Sequence, residues 1–174
     1  MAGDLAKFET YLAHERGYSS HTVRAYLADL SQFCAYVEKG PRGLEESPNQ
    51  APSVSVETLR QAQRNDIRSF LAHVQTRGGS ARTSARKLAV LRTAYKFFMR
   101  IGALESNPAQ MVRTPKITRE LPAVLSIPEV TALLEAADVS TPLGKRDRAI
   151  LETLYSSGAR VSELTQLKIT DIDY

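Results

Sequence analysis

Leu5, Phe8 and Leu12 recur at intervals of three and four, which puts them on one face of an α-helix, and Gly17 supplies a left-handed stop. Residues 3–16 are therefore predicted to form a first helix. Ser19 or Ser20 is placed to cap a second, whose apolar stripe of Val23, Tyr26, Leu27, Leu30, Phe33, Cys34 and Val37 ends before Gly40. Helical spacing resumes over Val56–Gln63. Asn65 is then predicted to cap Asp66–Arg77, with Ile67, Phe70, Leu71 and Val74 facing inward and Gly78 and Gly79 closing the helix. Residues 80–102 follow as another long amphipathic segment.

Two stretches break this rhythm. Residues 40–55 mix three prolines, two glycines and three serines with no sustained apolar period, so they are predicted to be an exposed, mobile loop. Asn107 and Pro108 begin a short turn of helix, after which residues 113–122 are predicted to run extended, because a proline biases its predecessor away from the helical region. A domain boundary is expected there. Beyond it, Ser126 and Glu129 have capping-box spacing for a helix carrying Val130, Leu133 and Leu134, with Pro128 in its first turn. A second helix is expected over Arg146–Ser156, with Ile150, Leu151, Leu154 and Tyr155 inside. Gly158 ends it, and Val161, Leu164 and Leu167 suggest a short helix immediately after. No strand pattern lasts more than a few residues. The fold class is mainly α: a four-helix domain over 1–112, a linker over 113–122, and the helical opening of a second, incomplete domain over 123–174.

Composition narrows the class of protein without naming it. At 174 residues, 43% hydrophobic and 24% charged, the chain can bury one ordinary core or two small ones. Its single cysteine, Cys34, permits no internal disulfide and lies in an apolar stripe, so it is expected to be core filler in a reducing compartment. Nothing approaches the roughly 20 apolar residues of a membrane span, and the first residues lack a basic head before an apolar run. A cytoplasmic location is expected.

The net charge of +4 hides a strong asymmetry. Residues 1–59 hold five Lys/Arg against eight Asp/Glu, residues 60–119 hold thirteen against two, and residues 120–174 hold five against nine. A cationic middle suits a polyanion, with nucleic acid the first candidate. Within it, a turn of 100° per residue groups Leu88, Leu91, Tyr95 and Phe98 on one side of residues 80–102 and Arg82, Arg86, Lys96 and Arg100 nearly opposite. Solvated helix faces usually mix signs to form pairs four residues apart, and this helix contains no acidic residue. Its basic side is expected to touch DNA or RNA, with Arg82, Arg86 and Lys87 foremost, joined by Thr22 and Arg24 at the start of the second helix. A basic scaffold for an acidic protein is the competing possibility.

SSGARVSEL, residues 156–164, places Arg160 at the start of a short helix, where unpaired N–H groups and the macrodipole disfavour a cation. Glu163, three residues on, offers a purely structural pairing. Alternatively, the planar guanidinium and exposed amides make a phosphate site in which Glu163 holds the arginine. The residues alone leave both open.

LETLYSSGARVSELTQLKITDID, residues 151–173, resembles the first catalytic-arginine box of the tyrosine recombinases, and of their bacterial Xer subgroup in particular. SSHTVRAYLADLSQF, DIRSFLAHV, SARTSARKLAVLRTAYKFFMRIG, NPAQMVRTPK and LPAVLS precede it in the family's order, so the resemblance runs from about residue 4 to 174. It implies a core-binding domain of SAM-like type and a catalytic domain that together clamp duplex DNA. It also implies site-specific recombination, with a role in resolving chromosome dimers at cell division. In this family a tyrosine attacks the scissile phosphate, forming a 3′-phosphotyrosyl link and freeing a 5′-hydroxyl, and a second DNA strand then reverses the step. No metal and no other cofactor is implied, and arginines stabilise the phosphate oxygens. Arg160 matches the first such arginine and Glu163 a supporting acid. The implied partners are a recombination site on double-stranded DNA and a second recombinase of the same family in a tetramer.

Family members continue through a lysine-bearing hairpin, an HxxR motif and a late tyrosine. The letters of HxxR occur here as His21–Arg24, but far upstream of Arg160, and the match is taken as chance. Tyr26, Tyr36, Tyr95 and Tyr155 are expected to be core residues, and Tyr174 follows the arginine box too closely to be the nucleophile. The 174 residues by themselves are thus expected to be inactive. A non-catalytic DNA-binding module and a phage-integrase-like fragment are the alternatives.

Overall fold

A serine precedes four of the α-helices in the computed structural model, which describes residues 2–44, 54–118 and 123–171. The chain divides into two compact units, Met1–Thr118 and Arg119–Tyr174. No strand occurs among the described residues.

Among its described residues, the first unit contains five α-helices. Helix α1, Ala2–Thr10, passes directly into one π-helical turn over Tyr11–Glu15, so the predicted single helix over 3–16 is interrupted rather than regular. Arg16 N–H donates to the carbonyl of Tyr11, five residues back, at 3.0 Å. Ser19 caps α2, Ser20–Lys39, accepting from the Thr22 N–H at 3.2 Å. A 3-10 turn over Gly40–Leu44 begins the segment expected to be an irregular loop, most of which lies outside the described residues. Ser55 caps the six-residue α3, Val56–Gln61. Helix α4, Arg64–Thr76, starts two residues before the expected first residue, Asp66, with its cap at Gln63 instead of Asn65. Gln63 takes that position because the Asp66 carboxylate reaches back to its N–H at 2.7 Å. Ser80 caps α5, Ala81–Arg100, at the Thr83 N–H. Residues 108–111 form turns, not helix, and 113–118 run without helix; the remainder of the expected linker, 119–122, lies outside the described residues.

The expected apolar stripes meet in one core. Phe8, Leu12, Leu30, Phe33, Leu59, Ile67, Phe70, Leu88, Leu91, Tyr95 and Phe98 are all buried there. Phe8 sits between Phe97 and Phe98 with ring centres 5.2 and 5.4 Å away, and Phe33 meets Phe70 edge-on at 5.4 Å, arrangements that favour aromatic quadrupoles. Tyr95 keeps its hydroxyl satisfied by donating to the Leu59 carbonyl at 2.9 Å. Cys34 is buried, as its position in the stripe predicts, and desolvation pushes its thiol up to about 11.

In the second unit, Ser126 opens α6, Ile127–Glu135, and the Glu129 carboxylate accepts from its N–H at 2.7 Å. Helix α7, Pro142–Ser157, begins four residues before its predicted start because Thr141 caps it and Pro142 suits a first helical position. It ends at Gly158, whose φ of 64° lies in the left-handed region open to glycine. Helix α8, Val161–Leu164, is a single turn, and Leu167 falls beyond it. No described apolar side chain of this unit is buried. Tyr155, expected inside, is 63% exposed, and Ile127, Leu143 and Val161 are also open.

Candidate nucleic-acid interface and arginine site

The two long helices of the first unit begin with the same local chemistry. In Ser19-Ser-His-Thr22 and Ser80-Ala-Arg-Thr83, the serine hydroxyl accepts from the threonine N–H and also bonds the threonine hydroxyl, at 3.0 Å in each case. This fixes both first turns and places Arg24 and Arg82 on exposed surface. Neither arginine has a hydrogen-bond or ion-pair partner among the described residues. Thr83 is the counterpart of Thr22, and the repeated Ser-x-x-Thr spacing is the signal that reveals it.

Arg86 and Lys87 behave differently from the expectation of an open cationic face. Both bind Asp29 of α2, whose carboxylate is only 5% exposed. Arg86 grips both carboxylate oxygens, with Nη1 on Oδ2 and Nη2 on Oδ1 at 3.2 Å, while half of its side chain remains in solvent. Lys87 is 7% exposed. Its ammonium donates to Asp29 Oδ1 at 2.7 Å and Gln32 Oε1 at 2.5 Å, and lies 5.9 Å from the Phe70 ring centre. Lys87 is therefore a buried counter-ion and not a surface DNA contact. Its sequence position carries the signal, since it lies three and four residues before the buried Val90 and Leu91.

Arg100, grouped by periodicity with the basic face, is also engaged. It pairs with Glu15 at 2.9 and 3.2 Å and stacks 4.6 Å above Tyr11. The acids absent from α5 itself are thus supplied by other elements. Lys96 stays exposed. Arg92 turns toward the following segment, donating to the carbonyls of Ala109 and Val112 at 3.1 and 2.5 Å and to the Thr114 hydroxyl at 3.0 Å.

In the second unit, Arg160 is the residue before α8 and its side chain is 82% exposed. Glu163 holds it twice: one carboxylate oxygen accepts from the Arg160 N–H at 2.7 Å and the other from Nη1 at 2.8 Å. These bonds keep the Glu163 carboxyl below its ordinary range, the backbone bond being the larger cause. The Nε and Nη2 edges of the guanidinium have no partner among the described residues. The structural pair with Glu163 is therefore present, and it leaves a donor edge of the guanidinium without a described partner. Among the described residues, no group of three or more His, Cys, Asp or Glu side chains is placed to hold a metal ion.

Comparison with known proteins bears on these residues. Residues 5–51 and 48–102 match the phage integrase N-terminal SAM-like domain, and residues 123–174 match the phage integrase family. The chain is 40% identical over 165 residues to the tyrosine recombinase XerD of Listeria monocytogenes serotype 4b (strain F2365), an alignment covering 95% of this chain and 51% of the relative. It is 41% identical over 170 residues to the tyrosine recombinase XerC of Myxococcus xanthus, covering 97% and 51%, and 36% identical over 167 residues to that of Bacillus subtilis (strain 168), covering 95% and 50%. The chain spans about half the length of these curated relatives. No solved structure matches it significantly. The matched domains, in this order and over this much of the sequence, establish that the chain belongs to the phage integrase family of tyrosine recombinases.

Proposed function

We propose that this chain supplies the DNA-binding bundle and the first catalytic arginine of a site-specific DNA recombinase. Support comes from Xer relatives named as tyrosine recombinases across 95% or more of the chain, and from two helix starts that present unpaired arginines. Thr22, Arg24 and Arg82, with the open edge of Arg86, would meet the duplex. A helix start entering the major groove reaches base edges, while arginines neutralise phosphates. The substrate is a recombination site on double-stranded DNA, the partner is a second recombinase of the family in a tetramer, and the setting is the cytoplasm. Among the described residues no helix is long and apolar enough to cross a membrane. Resolution of chromosome dimers at cell division is the cellular use we assign.

The observation that carries the catalytic part is the half-held guanidinium of Arg160. Charge accumulates on the non-bridging oxygens when a hydroxyl attacks a phosphodiester, and a planar donor already oriented by Glu163 stabilises it without reorganising. The test is cleavage of a suicide duplex by the longest reading frame that carries these residues. Arg160→Ala should lower cleavage by about two to three orders of magnitude, the usual effect of removing one such donor, while duplex affinity stays within about twofold. Undiminished cleavage would reject the role. A covalent adduct formed by residues 1–174 alone would place the nucleophile among them.

A further inference from the structure

The arginines of the first unit divide by what they touch. Arg16, Arg60, Arg86, Arg92 and Arg100 each bind a side chain or carbonyl of the bundle. Arg24, Arg42, Arg64, Arg68, Arg82 and Arg113 have no such partner among the described residues. Arg24 and Arg82 belong to the helix starts already described. Arg64, Arg68 and Arg113 instead line a single concave groove of about 330 Å³ between α4 and the segment after the last turn, floored by Leu71, Val112 and Pro115.

This arrangement is unfavourable for the protein by itself. Arg64 and Arg68 are four residues apart on one helix face, where like charges destabilise a helix by a few tenths of a kcal/mol. The nearby acid, Asp66, pairs with neither: its carboxylate accepts from the Gln63 N–H at 2.7 Å. A third guanidinium then approaches from a separate part of the chain. Three cations around an apolar floor match a strand of regularly spaced phosphates whose sugars contribute apolar edges. The lining of the groove runs along α4 from Arg64 to Gln75 and through residues 112–115, and includes no residue of α2 or α5. It is therefore a different set of residues from the one carrying Arg82.

We propose that the Arg64–Arg68–Arg113 groove is a second DNA-binding surface, holding the phosphate backbone of a duplex without reading its bases. The inference rests on the proposed DNA-binding function, and its test separates the two. Affinity of the 174-residue chain for a duplex of about 30 base pairs is measured against salt, because each phosphate contact adds about 0.9 to the slope of log K on log salt. The Arg64→Ala/Arg68→Ala variant should bind roughly tenfold more weakly near 0.1 M salt and lose about 1.8 from the slope. Arg64→Lys/Arg68→Lys should restore most of both. Both sites are exposed, and far-UV circular dichroism checks that the helices persist.

If that alanine variant binds like the parent while Arg24→Ala/Arg82→Ala is impaired, the groove is not a DNA surface and the function proposed above stands. If the parent chain shows no salt-dependent duplex binding, the DNA-binding function itself falls, and the groove proposal with it. Loss of binding to polyglutamate, with duplex binding unchanged, would identify an acidic protein as the occupant and overturn the proposal.

Discussion

At the scale of single residues, Asp29 decides more than its position suggests. One buried carboxylate serves two cations, and without it the Lys87 ammonium, 7% exposed, keeps only the neutral Gln32 as a hydrogen-bond partner among the described residues. Breaking one partner of a buried pair leaves an uncompensated charge, so Asp29→Asn should destabilise the protein by about 3 kcal/mol or more in urea unfolding. Lys87→Met should cost clearly less, because Arg86 still neutralises Asp29 and methionine fills similar volume. An equal loss in both variants would show that side-chain packing, not charge, governs the site. Sequence periodicity correctly separates Leu88, Leu91, Tyr95 and Phe98 from Arg82 and Arg86. It cannot show that α5 takes its counter-ions from Asp29 and Glu15, 57 and 85 residues away along the chain from Arg86 and Arg100. Ion pairs between helices leave no periodic trace in sequence.

Individual elements are legible where the signal is local. Ser19 and Ser126 are read as caps from their own neighbourhoods, and each proves to be one, because a cap bonds within three residues. Asn65 misleads because Gln63 is an uncommon cap that depends on help from Asp66. The Ser126–Glu129 box also has a pH dependence with a definite sign. Its carboxylate lies below the ordinary range, first through the backbone N–H of Ser126 and then through its hydroxyl. A depressed carboxyl favours the folded element above the unfolded value of about 4.3, and that contribution is lost as pH falls through the lower, folded value. Helicity of the parent chain should therefore decline in this acid window, and Glu129→Gln should lose this part of the decline. An identical acid profile in both proteins would remove the box from the account of α6.

For the molecule as a whole, the two units differ in kind. The first closes a core of aromatic and aliphatic side chains; the second buries none of its described apolar ones. The sequence pattern gives both the same amphipathic appearance, since periodicity reports which face is apolar and not whether anything covers it. Tyr155 is misjudged for that reason. The Arg92 clamp gives the first unit one further property. An arginine anchored in α5 by three bonds to residues 109–114 fixes the rail on which its outward-facing neighbour, Arg113, stands. Arg92→Lys, which keeps the charge but cannot span three acceptors, should speed amide exchange over 109–114 and lower duplex affinity by about the share of one phosphate contact. An unchanged exchange pattern would show that the rail holds without it. A side chain that need never meet a nucleic acid would in this way set the aim of one that does.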